Sequence, residues 1–71
     1  MTKEQYRKYF IKCKKYLKFS NILKKVGVSD ANFSHFLNNA DSIISISKLN
    51  SIYIETKNTL NELENVGTDN L

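Results

Sequence analysis

Ala31, His35 and Asn38 fall on one side of a helix when each residue advances the direction by about 100°. Asp30 and Ser34 flank them on one edge and Asn32 on the other. None of these residues is set up to break or form bonds. His35 directly follows Ser34, and adjacent helical side chains diverge, so the two do not make a nucleophile–base pair. The chain holds one His and one Cys, so no His/Cys cluster has zinc spacing. It has no glycine-rich loop to cradle a phosphate. Catalytic residues, metal ligands, cofactors and a small-molecule substrate are therefore not expected. Such a face is either the ordinary solvated side of an amphipathic helix or a surface that can contact nucleobase edges. The Ala31 methyl can sit on a thymine methyl, the Asp30 carboxylate can accept from a cytosine amine, and Ser34 or His35 can bond a base edge.

Holding such a face outward takes a well-anchored helix, and the stretch Phe19 to Asn39 supplies one. It reads as two short helices joined by a tight turn. Ser20 is expected to cap the first, its hydroxyl accepting from an unpaired backbone N–H. Ile22, Leu23 and Val26 give that helix an apolar face, and Gly27 ends it in the left-handed conformation. Ser29 caps the second helix. Asp30 lies in its first turn, where the helix dipole favours negative charge. Phe33, Phe36 and Leu37, at i, i+3 and i+4, form its buried face, opposite Ala31 and His35.

This arrangement resembles the lambda-repressor/Cro-like helix-turn-helix family over residues 17–53. The resemblance rests on Gly27, Val28, Ser29, Phe33 and Asn38-Asn39, followed by Ile44-Ser45-Ile46-x-x-Leu49-x-x-Ile52. Two positions depart from the family. Leu23 stands where it usually has a small Ala, and Phe19 where it often has a phosphate-gripping Gln. The resemblance implies an all-α regulator, of phage or mobile-element type, whose second motif helix enters the DNA major groove. It maps base reading onto Asp30, Ala31, Ser34 and His35, and a phosphate contact onto Asn38.

Charge is unevenly spread. The 71 residues carry a net +4. Residues 1–28 hold nine Lys or Arg against Glu4 alone, a balance of +8. Residues 29–71 hold Lys48 and Lys57 against six carboxylates, a balance of −4. A basic half suits a polyanion, although lysines that only solubilise give the same count. Nearest the motif are Lys24 and Lys25, which with Ser20 and Ser29 are the expected phosphate contacts. The lone Cys13 rules out an intramolecular disulfide and points to a reducing cytoplasm. No apolar run is long enough to span a bilayer.

The first helix is expected from Lys3 to about Lys18, opened by a Thr2-x-x-Gln5 capping box. Tyr6, Tyr9, Phe10, Cys13, Tyr16 and Leu17 form its apolar stripe, a spacing that assigns the tyrosines to packing rather than base stacking. Asn38 to Ser45 reads as a polar loop in which Ile43 or Ile44 plugs the core. A last helix, capped by Ser45 or Ser47, is expected from Ile46 to about Glu64, with Ile46, Leu49, Tyr53, Thr56, Leu60 and Leu63 in a 3-4 repeat. Residues 66–71 are expected as a flexible tail.

The expectation is thus one all-α domain over residues 1–65, a compact bundle of about four helices with the motif at 19–39 and a long C-terminal helix. Its expected function is sequence-specific binding of double-stranded DNA, most simply as a repressor. Tyr53, Leu60 and Leu63 are the expected homodimer contacts on the last helix, the alternative being that Leu60 and Leu63 fold back onto the tyrosines. A different class of reading stays open: the same fold as a protein-interaction module, for instance a phage-encoded inhibitor of a nucleic-acid enzyme. Asp30 favours it, because a carboxylate facing DNA meets phosphate repulsion.

Overall fold

Thr2 and Gln5 start the first helix as their spacing predicts. Thr2 Oγ1 accepts from the Gln5 N–H at 3.2 Å, and Gln5 Oε1 accepts from the Thr2 N–H at 2.8 Å. The computed structural model describes the backbone of residues 1–39 and 43–69 and the side chains of those up to residue 62. Its elements are α1 (Lys3–Cys13), α2 (Ser20–Val26), α3 (Asp30–Asn38) and α4 (Ile46–Asp69). The fold is all-helical, as expected. Side chains from Leu63 onward lie outside the described residues, and the α4 backbone continues to Asp69, past the expected Glu64.

α1 is shorter than its periodicity suggests. It ends at Cys13, and residues 14–16 form a turn closed by Tyr16 N–H on the Cys13 carbonyl at 2.9 Å. Extending the helix to Lys18 would stack Lys14 and Lys18 at i, i+4, a like-charge pair. It would also keep Phe19 out of the core. Ending it early buries Phe19, worth about 1.5–3 kcal/mol. The consequence falls on Tyr16, which leaves the apolar stripe and is 80% exposed.

The same event corrects the start of the motif. Phe19, not Ser20, occupies the N-cap position of α2, with no side-chain cap, and Ser20 is the first helical residue. The Phe19 ring is anchored 5.8 Å from Phe10 and 4.8 Å from Phe33, so packing fixes the entry that a hydroxyl was expected to fix. The other end of α2 follows expectation. Gly27 sits at φ 82°, ψ 36°, and its N–H bonds the Leu23 carbonyl at 2.8 Å. Across the three-residue turn, Ser29 Oγ accepts from the Asn32 N–H at 3.1 Å and opens α3.

Phe10 is fully buried and central. Its ring lies 5.6 Å from Phe33 and 6.4 Å from Phe36, tying α1 to the buried face of α3. α4 packs across α1 and α2. Among the described residues Leu49, Ile52 and Thr56 are its fully buried ones, and the Thr56 hydroxyl donates to the Ile52 carbonyl at 2.7 Å, so that hydroxyl is not stranded. Ile44 plugs the core beneath the loop while Ile43 is exposed. Ser45, rather than Ser47, caps α4, accepting from the Lys48 N–H at 3.2 Å. Ile46, expected in the buried repeat, faces solvent. Among the described residues, no helix is long and apolar enough to cross a membrane.

Candidate nucleic-acid interface

Two cations hold the motif helices by their C-termini. Lys48 of α4 donates its ammonium to the Val26 carbonyl at 2.7 Å, closing α2 at the turn. Arg7 of α1 donates Nε–H to the Leu37 carbonyl at 2.8 Å, closing α3, while its Nη1 pairs with Glu4 at 3.0 Å. Positive charge at a helix C-terminus meets the negative end of the dipole and the unpaired carbonyls together. With Phe33, Phe36 and Leu37 buried beneath it, α3 is fixed at its floor and at its far end.

Its outer surface is then free. Asp30, Ala31, Asn32, Ser34, His35 and Asn38 are all exposed, as the helical geometry requires. Asp30 forms no ion pair with a described residue. Ser29 Oγ accepts the capping bond, and its hydroxyl proton is left as a donor.

The expected phosphate contacts separate into two groups. Ser20 stands with Asp30 and Ser34 around one open cavity between the start of α2 and the start of α3. Lys25 instead reaches α4, 3.7 Å from a Glu55 carboxylate oxygen, so its charge is partly answered within the chain. Lys24 is exposed and not among the residues around that cavity. Two residues missing from the sequence-derived set complete the group. Lys14 and Lys18, from the segment after α1, line the cavity beside Ser20, Asp30 and Ser34, and neither pairs with a described carboxylate. Their signal was the excess of lysine in the first half. A helix continuous to Lys18 would carry them on its solvated side instead, away from the motif.

The expected dimer residues lie elsewhere. Tyr53 is half-buried inside the chain, its ring 4.9 Å from Tyr9 and 5.9 Å from Tyr6, with the Lys57 ammonium 5.3 Å from its centroid. Leu60 is half-buried against the core, and the Leu63 side chain lies outside the described residues. Among the described residues, the exposed large apolar side chains on α4 are Ile46 and Ile54. Among the described residues, no three His, Cys, Asp or Glu side chains gather as a metal site.

No family model matches the chain, and none of the curated proteins or solved structures compared with it does either.

Proposed function

We propose that this chain is a sequence-specific double-stranded DNA-binding protein, a transcriptional repressor of the lambda-repressor/Cro-like helix-turn-helix type from a phage or mobile element, working in the cytoplasm. One observation carries the reading. α3 is clamped from below and behind, so that its hydrogen-bonding face stands outward, with Lys14 and Lys18, which pair with no described carboxylate, at the edge where α2 and α3 begin. In this reading Asp30, Ala31, Ser34 and His35 meet base edges, while Ser20, Ser29, Asn38, Lys24 and the added Lys14 and Lys18 meet phosphates. A homodimer through α4 would set two such helices about 34 Å apart on one face of the duplex. With Tyr53 and Leu60 half-buried against the core, the exposed Ile46 and Ile54 join the expected Leu63 as candidates for the seam. Selecting bound fragments from a random duplex library tests the reading. A single enriched motif is the expected result, and a pool that stays random after several rounds would refute it.

The protein-interaction alternative is favoured by Asp30, an exposed carboxylate at the head of α3 without an ion-pair partner among the described residues. Duplex binding no stronger than to any polyanion, together with a saturable protein target, would move that reading ahead.

A further inference from the structure

The cavity between the start of α2 and the start of α3 has a floor as well as a rim. Its floor is Leu17, Phe19, Leu23 and Phe33, of which the last three are nearly fully buried and so fixed in place. Its volume is about 300 Å³, at the small end of ligand cavities. A floor of four apolar side chains is more than a phosphate oxygen needs. It suits an apolar body, and Phe19 and Phe33, which line the cavity with their rings 4.8 Å apart at 41°, suit an aromatic one. The rim carries Lys14 and Lys18 against the single carboxylate of Asp30, and none of the three is paired with a described residue. The mouth is therefore net positive, and its open ammonium groups complement an anion.

We propose that this cavity binds a small aromatic monoanion, its ring on the Phe19–Phe33 floor and its carboxylate or sulfonate between Lys14 and Lys18. Because Asp30 and Ser34 stand on the same rim, an occupied cavity places a molecule at the foot of the face assigned to base reading. The consequence, which rests on the DNA-binding reading, is that the ligand competes with duplex and makes the protein responsive to a metabolite. Binding itself does not depend on that reading.

Titration of the 15N-labelled protein with 1-naphthoate, in the absence of DNA, tests the site. Saturable amide shifts confined to residues 14–23 and 30–34 are expected. The neutral 1-naphthamide should bind roughly two- to fivefold more weakly, about what exposed ion pairs contribute. The double substitution K14Q/K18Q, which replaces two exposed side chains, should weaken 1-naphthoate by a similar factor and leave 1-naphthamide unchanged. Shifts scattered over the whole surface, no saturation at millimolar ligand, or equal affinity for acid and amide would each overturn the proposal. Adding duplex afterwards separates the two readings. A ligand site that saturates in a protein without duplex affinity keeps this inference and removes the DNA reading, whereas duplex binding without a ligand site does the reverse.

Discussion

The Lys48 ammonium lies 2.7 Å from the Val26 carbonyl oxygen, which makes α4 the C-terminal clamp of the helix that leads into the motif turn. The bond joins residues 22 apart in sequence at the one point where α2 must stop. Lys48→Met keeps the stem and removes the donor. It should lower stability by about 1 kcal/mol, the worth of a charge-assisted bond that is open to solvent. Urea denaturation measures this directly, and an unchanged midpoint would show that water replaces the ammonium without cost.

Gly27 sits beside that clamp at φ 82°. A Cβ there would meet Lys48 Nζ at 3.7 Å, an ordinary contact, so space is not the obstacle. The obstacle is the left-handed backbone, which costs an L-residue roughly 1–2 kcal/mol. Gly27→Ala should therefore destabilise by about that much, and Gly27→Asn by less, since Asn tolerates this region better than other L-residues. Should Ala and Asn cost the same, the penalty would have to come from somewhere other than φ.

Tyr9 gives a reporter for the packing of α1 on α4. Burial, helped by a hydrogen bond with the Cys13 thiol and by the Cys13 and Tyr53 charges, pushes its phenol up to about 12. A raised folded pKa means the neutral phenol belongs to the folded state. Its stabilising contribution is whole below about 10, the value in an unfolded chain, and is lost as pH rises toward 12. In a tyrosinate absorbance titration one of the four tyrosines should ionise late, and Tyr9→Phe should delete that phase alone. A Tyr9→Phe variant that retains the late phase would assign it to another ring.

How far the fold could be read from the chain follows from the range of each interaction. The Thr2–Gln5 box, the Ser29 cap and the Gly27 stop are settled by residues within three or four positions, and each stands where its spacing put it. The end of α1 is not legible locally, because it is decided by Phe19 reaching Phe10 and Phe33 rather than by local preference. The same long-range contact makes Phe19, not Ser20, the residue before α2 and brings Lys14 and Lys18 to the motif. The outward face of α3 was legible because Phe33, Phe36 and Leu37 fix the opposite side. The clamps were not, since Arg7 reaches Leu37 across 30 residues and periodicity says only that Arg7 and Lys48 face outward.

For the reading face, Ser34→Ala and His35→Ala should each cost roughly 1–3 kcal/mol on the selected duplex. Both residues are exposed, and neither side chain is used in any hydrogen bond among the described residues, so folding should be nearly unaffected. Competition binding on selected and scrambled duplexes distinguishes the outcomes. Equal losses on both would mean the face contributes affinity but reads nothing.

The phosphate contacts are best separated by salt. Each neutralised phosphate contributes about −0.9 to the slope of log affinity against log salt on duplex DNA. Lys14 and Lys18 stand at the shared edge of α2 and α3 without an ion-pair partner among the described residues, so K14Q/K18Q should flatten the slope by nearly two contacts. Lys25 already lies 3.7 Å from Glu55, on the side of α2 that faces α4. Lys25→Gln should therefore change the slope by much less than half the K14Q/K18Q effect, although the sequence names Lys25, with Lys24, as an expected phosphate contact. Duplex binding by wild type and both variants across a series of salt concentrations makes the comparison. A larger effect from Lys25 would put the DNA backbone along the α2–α4 side and displace Ser20 and Ser34 from the interface.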